Sequence, residues 1–196
     1  MPSQGRLSFD LEPEAGPRVP GDPFVQQLAE LCRAHPTRAK WVFVPSRAVG
    51  HALGERLARS GTSWANLRTA TPLEVAIRTA GPFLVERGLD PSEDSSGPAL
   101  VMRLLAGLPA TLSYFRPMAE QETLAAALWS AISELRLAGL RATDLGREAF
   151  LSAEKHAELA ALLSAYERHL EAHRAADAAD VFRLALEDRR FCPVLP

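Results

Sequence analysis

Cysteine is scarce in this chain of 196 residues: only Cys32 and Cys192 occur. Two thiols far apart cannot supply a four-thiolate zinc or iron–sulfur centre, and they show no disulfide-framework spacing. Lysine is scarcer still for a basic residue, standing only at 40 and 155. Neither sign of charge dominates: 22 Lys and Arg face 24 Asp and Glu, a net charge of −2, so no global field advertises nucleic acid. No apolar run is long enough to span a bilayer and no stretch resembles a signal peptide. A reducing, cytoplasmic setting is therefore expected. What is plentiful is apolar surface, at 47% of residues, enough for one globular domain or a domain with an inserted subdomain.

The stretch from Gly16 to Pro23 carries Gly16 and Gly21 at the spacing of a phosphate-binding loop, but Asp22 and Pro23 stand where Lys and Ser or Thr are needed. In a working loop, backbone N–H groups cradle phosphates, the lysine reaches the terminal ones and the hydroxyl holds Mg²⁺. Asp22 puts a carboxylate there, Pro23 lacks both hydroxyl and N–H, and Pro17 and Pro20 remove two more donors. The same residues also read as an ordinary helix start, Asp22 as N-cap and Pro23 at the first helical position.

Apolar periodicity gives the order of elements. Arg6 to Leu11 alternates weakly, as a short strand does. Phe24 to Ala34 predicts an amphipathic helix with Phe24, Leu28 and Leu31 on one face, ended by Pro36. Trp41 to Val44 predicts a buried parallel strand. Arg47 to Arg59 predicts a helix with Val49, Leu53 and Leu57 aligned, stopping at Ser60-Gly61. Leu67 to Ala70 predicts a third strand, and Thr71-Pro72 opens a helix ending near Gly88. Strand–helix alternation is the signature of a parallel α/β layer. Residues 89–97 form a polar break. Beyond it the sequence predicts helices over Ala99–Ala106, Glu120–Ala138, Thr143–Glu148, Ser152–His173 and Ala179–Glu187. The expected organisation is an α/β part over 1–88, a linker or loop over 89–97, a helical subdomain over 98–178 and a segment over 179–196 that returns to the α/β part.

Several segments resemble the UvrD-like superfamily 1 helicases. Trp129 to Leu145 is similar to a helix that breaks before a short acidic turn, and Lys155 to Leu184, with Asp177 and Asp180, is similar to that family's long helix and following acidic segment. Val44-Pro-Ser46-Arg47 resembles a strand end that touches the backbone of single-stranded DNA in active relatives, a role the resemblance passes to Ser46 and Arg47. Leu67 to Ala76 resembles the next strand-to-helix motif, keeping the hydroxyl at Thr71 but with Leu73 where motors often carry histidine. The Val-Pro-Ser strand end, the Ala-Thr-Pro-Leu turn and the damaged loop together most resemble the AddB-type subunit of helicase-nucleases, over most of residues 1–190.

That resemblance implies an α/β fold: the small parallel sheet of a degenerate P-loop helicase-like domain with a predominantly helical subdomain. It further implies a non-catalytic N-terminal module of a DNA-repair and recombination enzyme whose PD-(D/E)XK nuclease lies further on. The implied partners are single-stranded or duplex-end DNA and an AddA-like motor subunit or later domains of the same chain. No cofactor or metal is expected in this chain. Two other readings stay open: part of an active ATP-dependent motor, and a protein-interaction scaffold that does not bind DNA.

Sharper chemical motifs fail on inspection. His169 and His173 are four apart on a helix, but Leu170 holds the position of the glutamate in a zinc-protease motif and no third ligand is evident. Ser46 and His51 lack a nucleophile elbow. Glu154, Glu158, Glu167 and Glu171 read as a solvated, charge-paired helix face with Lys155, Arg168 and Arg174. Among aromatics, Trp41 and Trp129 read as core. Trp64, in a polar connection, would suit a nucleic-acid base near Ser46 and Thr71 or a lid over the sheet, and Phe115 with Arg116 is a weaker candidate of the same kind.

Overall fold

A computed structural model describes residues 22–91 and 97–194. The Arg6–Leu11 strand, Gly16, Gly21 and most of the 89–97 break lie outside the described residues. The chain divides into two compact units, 1–69 and 70–196. The division thus falls at the end of a strand, ahead of the 89–97 stretch.

In the first unit, α1 (Pro23–Ala34) leads to β1 (Lys40–Phe43), α2 (Arg47–Arg59) and β2 (Leu67–Ala70). The two strands pair in parallel across the α2 crossover. Asp22 caps α1, accepting from the Phe24 amide at 3.0 Å, and Pro23 begins the helix. The buried stripe of α1 is Val25, Leu28, Ala29 and Cys32, spaced at one and two helical turns. Phe24 and Leu31, expected on the inner face with Leu28, are both exposed. They flank a stripe that begins one residue after Phe24. Val49, expected to align with Leu53 and Leu57, is exposed too.

The α1 stripe meets Leu53 and Leu57 of α2 and Val42, Val44 and Leu67 of the strand segments in one apolar cluster. Both helices therefore cover the same face of the sheet. The strand expected to be buried on both sides is only partly so: Trp41 and Val42 are half-buried, and Phe43 is 53% exposed. Gly50 lets α2 approach β2, since a Cβ there would lie 2.8 Å from Thr69 Oγ1. Lys40 is buried, and its Nζ donates to the carbonyls of His35 and Arg38 in the turn before β1. A cation thus closes a turn that offers two unpaired acceptors.

The second unit is helical: α3 (Pro72–Arg87), α4 (Gly97–Ala106), α5 (Glu122–Leu137), α6 (Ala153–His173) and α7 (Ala178–Glu187). The expected Thr143–Glu148 helix is instead two single 3₁₀ turns, Ala142–Asp144 and Arg147–Ala149. Both fall in a stretch interrupted by Gly146, which lacks the apolar repeat that would bury a longer helix. The main core joins α4, α5 and α6 through Val101, Leu105, Ile132, Leu162 and Leu163. A second cluster packs Ala76, Ala80 and Leu84 of α3 on Val181 and Leu184 of α7. Small residues on α3 let the two helices approach closely. Asp90, inside the polar break, pairs through its backbone with Arg174 and Ala176, tying the end of α3 to the α6–α7 joint.

Glu158, expected on a solvated face, is fully buried. Its carboxylate accepts from the amides of Tyr114 at 2.5 Å and of Phe115 and Arg116 at 2.9 Å. Three backbone donors replace its hydration shell, and it closes the turn that leads into the 3₁₀ segment Arg116–Met118. Phe115, a stacking candidate in the sequence, is consequently core. Trp129 packs over Gly97 and makes an edge-to-face contact with Tyr166, with ring centroids 5.7 Å apart.

Candidate nucleic-acid interface

Ser46 and Arg47 stand together at the start of α2. Ser46 is its N-cap, in extended geometry, with Oγ accepting from the Val49 amide at 3.3 Å. No acidic residue occupies the first turn of α2, and both Ser46 and Arg47 are exposed. A helix start of this kind presents amide donors and the positive end of the helix dipole. Arg47 adds a full charge beside them.

Thr71 has a different environment. Its Oγ1 accepts from the Glu74 amide at 3.2 Å, and Glu74 Oε2 accepts from the Thr71 amide at 2.9 Å, a complete capping box. The Glu74 carboxylate thereby occupies the place at the α3 start where an anion would bind. The hydroxyls at 46 and 71 both serve as helix caps, yet only the first turn of α2 holds no acidic residue of its own.

Asp22 performs the capping role given above and also meets Arg56 at 2.9 Å. Its carboxylate is engaged by an arginine and a helix start, and Pro23 occupies the first helical position. Trp64 is 37% exposed and lines a shallow depression of about 460 Å³ with Ala58, Gly61, Thr62 and Ser63. Ala58 is twelve residues along α2 from Ser46, about 18 Å at 1.5 Å per residue. Trp64 therefore lies at the far end of α2 from Ser46, and the expected proximity of the two is not realised: the crossover helix separates them.

The electrostatics of the two units differ in sign. Residues 1–69 hold nine Arg and Lys against six Asp and Glu, a net of +3. Residues 70–196 hold thirteen against eighteen, a net of −5. Two of the three carboxylates in 22–69 are already paired, Asp22 with Arg56 and Glu55 with Arg59. The whole-chain balance hides this segregation; counting by segment would have exposed it.

The strongest charged cluster in the helical unit went unnoticed in the sequence. Arg136 on α5, with its side chain 11% exposed, meets Asp177 at 3.0 Å and Asp180 at 2.9 Å, with Glu167 at 3.9 Å. Burial works to lower the Arg136 pKa, but the hydrogen bonds and charges of Asp177 and Asp180 outweigh it and hold it above the ordinary arginine value. Asp177 also caps α7. A pocket of about 290 Å³ opens beside this cluster, bordered by Trp129, Tyr166 and Leu137. His169 and His173 lie with ring centroids 4.0 Å apart, and His173 Nδ1 is bonded to the His169 carbonyl. Among the described residues no group of three or more His, Cys, Asp or Glu is placed to hold a metal ion. None of the described helices is long and apolar enough to cross a membrane.

The fold defines a mostly helical α/β protein: a basic parallel strand–helix–strand unit followed by an acidic helical unit. No protein-family model matches the chain, and no curated protein matches it.

Proposed function

We propose that this chain is the non-catalytic, helicase-like N-terminal module of a cytoplasmic DNA-repair helicase-nuclease of the AddB type. In this reading the α/β unit touches the phosphates of a DNA strand at the start of α2, through the amides behind Ser46 and the charge of Arg47. The helical unit serves assembly with a motor subunit or with later domains. The observation that carries the reading is the charge segregation: a polyanion is attracted to the unit holding the Ser46 and Arg47 strand end and repelled by the acidic helices. The engaged Asp22 and the proline beside it support a passive role, without nucleotide chemistry at that loop.

The test is titration of a labelled single-stranded oligonucleotide at several salt concentrations. Binding should weaken steeply with salt and show little dependence on base sequence. Arg47→Ala should lower the salt slope by about 1. No binding even at low salt would refute the DNA role. The excess of acidic groups on the helices favours a second reading, a scaffold for a basic protein partner, and recovery of a motor subunit in the absence of DNA would support it. ATP-dependent thermal stabilisation would instead revive the active-motor reading.

A further inference from the structure

Among the described residues, α1 and α2 cover one face of the sheet of the α/β unit, and the other face carries exposed side chains. Val42, Val44 and Leu67 point into the cluster under α1 and α2. Side chains alternate along a strand, so Trp41 and Phe43 stand on the other face. Arg68 joins them from β2, with its guanidinium carbon 5.4 Å from the centre of the Trp41 ring. Phe43 is 53% exposed and Arg68 is also exposed. A buried parallel sheet carries Val, Ile and Leu on both faces. This one instead presents two aromatic rings and a cation within a unit of net charge +3.

We propose that this open sheet face is a stacking platform for the bases of a single-stranded nucleic acid. Phe43 offers a ring to one base, and the Trp41–Arg68 pair offers a second, charged surface. Aromatic rings and guanidinium planes both stack on bases regardless of sequence, and the positive charge of the unit draws the backbone. A duplex keeps its bases stacked on one another and does not present them to a flat surface, so the ligand is an unpaired strand. Charge complementarity separates this occupant from an apolar protein segment, which would bury the Arg68 guanidinium without a counter-charge. The inference rests on the reading above that the α/β unit contacts nucleic acid, and it assigns that contact a second site on a different surface from the α2 start.

The experiment titrates the full chain with a fluorescein-labelled oligo-dT at low salt. It compares the wild type with Phe43→Ala, Phe43→Leu, Phe43→Trp, Arg68→Gln and Arg47→Ala, and checks each by thermal unfolding. Phe43→Ala and Phe43→Leu should weaken binding about 5- to 150-fold, the range for loss of one base–aromatic stack. Phe43→Trp should bind like the wild type, and Arg68→Gln should weaken binding without lowering the melting temperature. Unchanged affinity in Phe43→Ala and Arg68→Gln while Arg47→Ala binds more weakly would overturn the platform and leave the module reading intact. Wild-type affinity in Phe43→Leu would show that bulk rather than stacking matters and would also overturn it. Absence of binding by the wild type would remove the module reading and the platform with it.

Discussion

Replacing Arg136 by Met should destabilise the helical unit by about 3 kcal/mol. The guanidinium bonds Asp177 through Nε at 3.0 Å and, more weakly, through NH2 at 3.4 Å, and it bonds Asp180 at 2.9 Å. Bonds to charged groups contribute about 1.5–3 kcal/mol each, and removing one member of a buried pair costs about 3–5 kcal/mol. The lower end applies here because the stranded carboxylates keep other partners: Asp177 accepts from the Asp180 amide and the Tyr166 hydroxyl, and Asp180 from Arg183. The substitution also leaves Asp177 and Asp180 facing each other without their shared cation. Urea unfolding followed by far-ultraviolet circular dichroism measures the loss; in a chain of this length it corresponds to a fall of about 6–12 °C in Tm. Arg183→Ala is the control, because its pairs with Asp180 and Glu187 are half exposed and contribute about 0–1 kcal/mol. If Arg136→Met costs no more than Arg183→Ala, the cluster does not hold α5 to the α7 start and the reasoning fails.

Gly50→Ala should destabilise by about 1–3 kcal/mol through overpacking on Thr69, whereas Gly54→Ala, four residues on with open space around it, should stabilise by about 0.5–1 kcal/mol; equal effects in denaturant melts would refute the close helix–strand approach. Glu158→Gln should cost about 2 kcal/mol, because its amide nitrogen must face one of the three N–H donors that the carboxylate accepts, and an unchanged urea midpoint would show that the turn does not depend on them. The Glu154 amide and then the Ser152 hydroxyl hold the Glu154 carboxyl below the usual glutamate range, so its contribution is present above that range and is lost as pH falls through the depressed value. Carbon NMR should give this low midpoint in the wild type and a higher one in Ser152→Ala. Finally, Glu74→Gln should raise oligonucleotide affinity if Thr71 touches phosphate and leave it unchanged if only the α2 start does, a difference read in the same salt titration.

Local patterns made the elements legible. Ser46, Thr71, Ser152 and Asp177 all cap helices through side-chain oxygens, and Gly88 ends α3 in the left-handed conformation. Each is a signal contained within a few residues, and the boundaries of α2 and α6 follow it closely. What escaped depends on partners far along the chain. Glu158 sits among charged neighbours at helical spacing, which argues for solvent, but the three amides that bury it are more than forty residues upstream. Arg136 and Asp177 are likewise 41 residues apart. The inner face of α1 was misjudged locally: the stripe centres on Val25, Leu28, Ala29 and Cys32, and Phe24 and Leu31 fall on its edges. All four are apolar at i, i+3, i+4 and i+7, so the apolar period itself carried the correct face.

The placing of Ser46 and Arg47 at a helix start was legible, since a strand end followed by a capped helix puts a hydroxyl and a charge together in any α/β unit. Thr71 looked equivalent because the sequence shows the same hydroxyl before the same kind of helix. Three residues later Glu74 makes it different: a capping box satisfies the helix start internally and leaves a carboxylate there. The first turn of α2 holds no acidic residue of its own, so no capping box of that kind forms there. Two similar motifs in one chain thus differ in their local charge, and the one without an acidic first turn lies in the basic unit. In the proposed reading the α2 start contacts phosphate through its dipole and Arg47, while the opposite sheet face takes the bases.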